Sequence, residues 1–270
     1  NMKKIRCLFP IIFILFAVSA FADFTVVIAG KKTTYCSSCP DAANGGDQIC
    51  EIPDGSADGL CGWTVVEAGG ETGDINLGGS CDNSPALGCA AISMNYCVSC
   101  VKVNTSSGDV LAYFDTSETT HYVQFYVKIL SEGLANSEDV GIFSFAASTS
   151  YASMGVGLQQ DSSGDLRFVM YYHVGAGWVE DSSSNTVSTD TWYGIRLYLN
   201  DGAGATDAGQ WWVDWSNNGT WTNEGAFSAV TLDRAIVQYQ VGNKATTKAH
   251  NFILTGLKID NDTMPDSCAR

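Results

Sequence analysis

Two runs of alternating residues, 192–199 and 210–215, joined by a Gly/Asp-rich loop, constrain this chain most. A strand turns successive side chains to opposite faces. Tyr193, Ile195, Leu197 and Leu199 therefore share one face of the first run. Trp211, Val213 and Trp215 share one face of the second, with Trp212 and Asp214 opposite. A lone hairpin of this kind is marginal in water, so the pattern requires a sheet around it. Trp211 and Trp215 are expected in the core, with Trp212 as the exposed ring; Trp192 and Trp63 are also expected in the core.

The same period recurs along the chain. In His121-Tyr-Val-Gln-Phe-Tyr-Val-Lys-Ile-Leu130, Val123, Phe125, Val127 and Ile129 take one face, and Tyr122, Gln124, Tyr126 and Lys128 take the other. Further strand candidates are 62–67, two within 87–103, then 140–146, 155–160, 166–173, 177–180, 234–241 and 251–260, broken by Ser/Gly/Asp turns. No amphipathic pattern of three helical turns occurs. The expectation is an all-β, two-sheet antiparallel jelly-roll sandwich with a short cysteine-rich N-terminal segment. The β-region is too long for an immunoglobulin-type domain, and the lack of an internal repeat argues against a propeller.

Lys3, Lys4 and Arg6 precede an apolar stretch that ends in Ser19-Ala20-Phe21-Ala22. This reads as a signal peptide over 1–22, cut after Ala22, because the apolar run is short for a membrane span of roughly 20 residues. The organisation expected is 1–22 leader, 23–59 cysteine-rich segment, 60–264 sandwich domain and 265–270 tail. The product is expected to be secreted, periplasmic or on the cell surface, with no membrane span after cleavage. The formal net charge of −15 argues against nucleic acid or an anionic membrane as partner.

Beyond the leader lie Cys36, Cys39, Cys50, Cys61, Cys81, Cys89, Cys97, Cys100 and Cys268. Export makes disulfides the expectation, and the odd count leaves one thiol over; the spacing does not set the pairing. The two C-x-x-C pairs, Cys36/Cys39 and Cys97/Cys100, would suggest zinc in a cytosolic protein. Asp54, Ser56 and Asp58, followed by Gly59, match the first half of a calcium loop. Val65 then stands where such a loop needs a bidentate Glu, so a Gly/Asp turn competes with metal binding. No cofactor is required by the sequence, and calcium is the metal the oxygen-rich loops would take.

Four stretches in order carry a resemblance. They are Gly62-Trp-Thr-Val-Val-Glu67 with Ser84-Pro-Ala-Leu-Gly88, then Tyr122-Val-Gln-Phe-Tyr-Val-Lys128, then Thr191-Trp-Tyr-Gly-Ile-Arg-Leu197 with Trp212-Val-Asp214, and the closing Leu254-Thr-Gly-Leu-Lys-Ile-Asp-Asn-Asp262. Together they resemble the concanavalin A-like lectin/glucanase superfamily, in particular its laminin-G-like branch from microbial secreted proteins. The resemblance implies a jelly roll and a choice among sugar-binding module, adhesion module, glucanase and polysaccharide lyase. A rim calcium held by Asp side chains would also be in keeping with that branch. Fold alone does not choose among these functions.

A retaining glucanase needs two carboxylates about 5 Å apart. The E-x-D-x-x-E strand that supplies them in this fold does not occur here. Nor do the Q-x-H or Y-x-K-x-G strands of alginate-lyase-type sites, although Gln238-Tyr-Gln240, Arg234 and His250 are present. His121, His173 and His250 are scattered, and no G-x-S-x-G elbow occurs. No catalytic residue is assigned on this basis. Sugar faces stack on aromatic rings and hydrogen-bond to polar neighbours, so Trp212, Asp214 and Trp221 are the ligand-binding candidates. The expectation is a secreted, non-catalytic module that binds carbohydrate or another cell-surface ligand, with an adhesive role in view. A hydrolase or lyase of the same fold and a structural module of a cell-surface or virion protein are the rivals. The oligomeric state is left open.

Overall fold

The computed structural model describes residues 25–28, 31–34, 47–49, 64–67, 74–77, 100–105, 108–116, 118–148, 151–175, 177–202, 206–233, 235–246, 248–261 and 264. Among these, every regular element is a strand. In chain order they are β1 (Thr25–Ile28), β2 (Lys31–Thr34), β3 (Asp47–Ile49), β4 (Thr64–Glu67), β5 (Asp74–Leu77), β6 (Cys100–Thr105), β7 (Gly108–Asp115), β8 (Thr120–Glu132) and β9 (Glu138–Ser148). Then follow β10 (Tyr151–Gln160), β11 (Leu166–Val174), β12 (Gly177–Ser182), β13 (Trp192–Asn200), β14 (Asp207–Asp214), β15 (Thr222–Val230), β16 (Gln238–Thr246) and β17 (His250–Asp260).

Two antiparallel sheets form the sandwich. One has the order β12-β11-β10-β9-β16-β7-β4 and the other β15-β14-β13-β8-β17-β6-β5; β3 pairs with β17, and β1 with β2 form a separate ribbon. The chain crosses between sheets at β3 to β4, β4 to β5, β6 to β7, β7 to β8, β8 to β9, β12 to β13, β15 to β16 and β16 to β17, which is jelly-roll connectivity. The expected fold class is therefore what the structure shows.

Alternation builds the core. From the eight-stranded sheet come Val123, Phe125, Val127, Ile195, Leu197, Trp211 and Val213; from the seven-stranded sheet come Phe143, Phe145, Met154, Val156, Phe168, Tyr239 and Val241. Burying a side chain of this size contributes about 1.5–3 kcal/mol. A one-residue slip of any such strand would expose the whole set, so register is strongly specified.

At one end of this interior lies a polar inclusion. Tyr239 Oη is 2.8 Å from His121 Nδ1 and accepts from Thr116 Oγ1 at 3.1 Å. His121 Nε2 is buried without a partner. Burial lowers the His121 pKa to about 4, with Glu118 pulling weakly the other way.

The hairpin of residues 192–215 forms in the register its pattern implies, with Leu197 opposite Trp211 and Arg196 opposite Trp212. Trp211 is fully buried, whereas Trp215 is half-buried and packs edge-on to Tyr193 with ring centroids 5.5 Å apart. Trp192, expected in the core, lies instead on the outward side, 5.6 Å from the Lys128 ammonium. Trp63 lies outside the described residues.

Candidate functional site

The outward faces of the two sheets differ. On the eight-stranded sheet the central outward side chains Gln124, Tyr126, Lys128 and Asp260 are all buried. Trp221 lies over Gly194, and the Arg196 guanidinium sits 4.1 Å from its ring centroid. On the seven-stranded sheet the strands β9 to β12 turn a polar and aromatic face outward.

Register defines that face. Glu180 pairs with Tyr171, Tyr171 with Gly155, Gly155 with Ser144, and Ser144 with Gln240. Beside this row stand Trp178 opposite His173, Ser182 opposite Val169, and Gln159 opposite Asp139. Gly155 and Gly157 leave a trough that the Tyr171 ring fills. A Cβ on Gly155 would stand 2.6 Å from Tyr171 Oη and 2.5 Å from the Phe143 carbonyl oxygen. The Tyr171 hydroxyl, bonded to Ser144, is held protonated; burial is the main cause and the Asp139 charge the second.

Trp178 is 50% exposed, on the edge strand β12. Its ring meets Tyr171 at 5.4 Å and His173 at 4.9 Å, nearly perpendicular to both. His173 Nδ1 meets the Asp233 carboxylate, which fixes that ring in turn. Polar groups surround this aromatic corner. Gln159 Nε2 donates to Glu180 Oε2 at 2.9 Å, and Ser182 Oγ donates to Gln159 Oε1 at 3.2 Å. Gln240 Nε2 donates to the Ser148 carbonyl at 2.9 Å, and Ser144 and Gln240 are both buried in the floor. The Asp139 carboxyl is raised above its ordinary range, first by desolvation and then by the neighbouring Glu180 carboxylate. Such a surface can stack a sugar ring on Trp178 and exchange hydrogen bonds with its hydroxyls through amides and carboxylates.

The residues singled out in the sequence lie elsewhere. Trp212 points outward from β14 and is half-buried beside Arg196 and Asn223. Asp214 is fully buried, and its oxygens accept from the backbone N–H groups of Ser216 (3.3 Å), Asn218 (3.2 Å) and Gly219 (2.6 Å). Its carboxylate thus closes the turn after β14. Trp221 is half-buried under Arg196, close to the Asp214 side of Gly194. Asp54, Ser56 and Asp58 lie outside the described residues, as do all the cysteines except Cys100, which opens β6. Among the described residues no group of three or more His, Cys, Asp or Glu could hold a metal ion.

Sequence reasoning passed over Trp178, Tyr171 and Gln159. A signal was present: 166–173 and 177–180 were both read as strands, and Tyr171, His173, Trp178 and Glu180 fall on one face once a short turn joins them. The absence of clean alternation in the second run hid it.

No protein-family model and no curated protein matches the chain. Solved structures do. An endo-β-1,4-glucuronan lyase from the fungus Trichoderma reesei is similar with a TM-score of 0.54 and 13% identity, over 80% of this chain and 99% of that one. An alginate lyase follows at a TM-score of 0.46 and 13% identity, over 62% and 82% of the two chains. Domain 4 of an extracellular arabinanase from Geobacillus stearothermophilus, solved with arabinotriose, gives 0.46 and 12%, over 82% and 97%. The first of these likenesses shows the fold, and the fold alone: this chain is a two-sheet β-sandwich of the kind found in the glucuronan lyase.

Proposed function

We propose that this protein binds a polysaccharide, without cleaving it, on the outward face of the seven-stranded sheet. The observation that carries the reading is the Trp178 corner: a half-exposed indole braced edge-on by Tyr171 and His173, on an outward face that continues across the sheet through Gln159 and Ser144 to Gln240. Because one fold hosts many activities, the site and not the likeness supports this reading. The Tyr171 phenol stays protonated and offers no base there, whereas His173, held through Nδ1 by Asp233, is the group the rival enzymatic reading would use. Trp212, outward and half-buried on β14, offers a second stacking surface.

An immobilised panel of soluble polysaccharides tests both. Trp178→Ala is expected to weaken retention by about tenfold, the worth of one aromatic platform, while Trp212→Ala leaves it nearly unchanged. The reverse order moves the site to β14. Release of reducing ends or of unsaturated uronate during incubation would establish the rival, enzymatic reading.

The surrounding biology belongs to the same proposal. The leader over 1–22, the nine cysteines beyond it and the acidic balance support an exported, disulfide-bearing protein of the concanavalin A-like type, with the sandwich domain spanning 60–264. No helix among the described residues is long and apolar enough to cross a membrane. Calcium at Asp54, Ser56 and Asp58 remains part of this proposal, tested by the melting temperature with and without chelator.

A further inference from the structure

The charge pattern around Trp178 goes further than the presence of a sugar site, and the inference rests on that site being the one used. Glu180 and Asp139 flank the Tyr171 ring, close enough for Glu180 to raise the Asp139 carboxyl. The cations within reach are engaged. Arg167 Nε bonds Asp161 at 2.9 Å, and its Nη1 donates to the carbonyls of Ser183 (3.1 Å) and Ser184 (3.2 Å). Lys248, at the rim, is ion-paired with Glu138, and the His173 imidazole meets the Asp233 carboxylate through Nδ1. Among the described side chains, no basic group is bonded to Glu180, Tyr171, Ser144 or Gln240; the side chains of Lys244 and Arg234 lie outside the description.

We infer that this face selects an uncharged polysaccharide and excludes polyuronates. A polyuronate carries a carboxylate on every residue. Laid across β10 to β12, it would bring those charges beside Glu180 and Asp139. Each like-charge contact at about 4 Å costs on the order of 1 kcal/mol in water and more in a partly dry groove. Neutral sugars meet no such penalty. Their hydroxyls both donate and accept, which matches the amide of Gln159, the hydroxyl of Ser182 and the acceptor oxygens of Glu180. An apolar ring face stacks on Trp178 without needing a cation.

The test is affinity electrophoresis of the full chain in neutral gels (mixed-linkage β-glucan, arabinan, galactomannan, xyloglucan), polyuronate gels (alginate, polygalacturonate, polyglucuronate) and chitosan, each at low and high salt. The expected result is retardation by at least one neutral polymer, insensitive to salt and weakened about tenfold by Trp178→Ala, with none by polyuronates. The double variant Asp139→Asn, Glu180→Gln is expected to gain retardation by a polyuronate at low salt. Three results overturn the inference: retardation of the wild type by a polyuronate, a preference for chitosan that salt abolishes, or no gain in the double variant. Of these, the first two leave the sugar-binding reading standing if they depend on Trp178. Absence of any Trp178-dependent retardation removes that reading together with the inference.

Discussion

Single atoms decide two features of this molecule. At Gly155 a methyl group would run into the Phe143 carbonyl and the Tyr171 ring at once, and a backbone carbonyl cannot step aside cheaply. Gly155→Ala is expected to destabilise the fold by about 1–3 kcal/mol and to dislodge Tyr171. Denaturant melts give the first effect; loss of polysaccharide retention at a temperature where the variant is still folded gives the second. His121 is the other case. It is buried as the neutral ring, with a folded pKa of about 4 against an ordinary 6.5. The unfolded chain takes up its proton as the pH falls through 6.5, and the folded chain resists until about 4. Stability from this group is complete above 6.5 and is lost by up to about 3 kcal/mol on the way down to 4. The overall negative charge acts oppositely, since self-repulsion eases on acidification. The comparison that isolates the histidine is therefore His121→Gln, which can still meet Tyr239. Its melting temperature should fall less than the wild type's between pH 7 and 4.5 once both are referenced to pH 7.

Among the elements, legibility followed the strength of alternation. β8, β11 and β13 turn alternate residues into the core without a break, whereas β9 and β17 change parity at an irregularity, between Ile142 and Phe143 and between Leu254 and Leu257. β15 reads Thr-Asn-Glu-Gly-Ala-Phe-Ser-Ala-Val, with a single fully inward ring at Phe227, and no periodicity search would find it. Its conformation comes from pairing with β14, including a register shift between Asp207/Val230 and Gly209/Phe227. Ala229 sits in that irregular stretch with φ 55°, a left-handed conformation that a Cβ disfavours. Ala229→Gly relieves the clash but loosens the unfolded chain. Because the native φ is one glycine adopts freely, a net gain of about 0.5–1 kcal/mol is expected, read as a raised denaturation midpoint. The turn after β14 gives a contrasting case. Asp214 looked like a ligand-binding acid because alternation turned it outward beside Trp212. Outwardness did not mean exposure, because its oxygens serve three backbone N–H groups. Asp214→Ala is expected to lose about 2–3 kcal/mol of stability. Its polysaccharide retention should match the wild type at low temperature, where both are folded.

At the scale of the whole sandwich, the unequal outward faces matter most. Period-two patterning separates inside from outside but treats both outsides alike, so the tryptophan-rich hairpin drew attention to the eight-stranded sheet. There the outward centre is closed over at Gln124, Tyr126 and Asp260. The accessible aromatic corner lies at the opposite sheet's edge, on a strand whose only tryptophan is flanked by Gly177 and Val179 rather than by other rings. Amide hydrogen exchange can tell which outside is used. Edge strands open at lower free energy than central ones, so β12 and β15 are both expected to exchange early in the free protein, and β8 and β17 late. A ligand that binds only the closed edge lowers the population of the open form by a factor of one plus the ratio of free ligand concentration to Kd. At a free polysaccharide concentration about a hundred times Kd, amides released by local opening of β11 and β12 should exchange about a hundredfold more slowly. Those of β15 should keep their rates, because the ligand leaves the opening of that edge alone. Protection of β14 and β15 instead, with β12 unchanged, would place the ligand over Trp212 and leave Trp178 as an incidental surface ring.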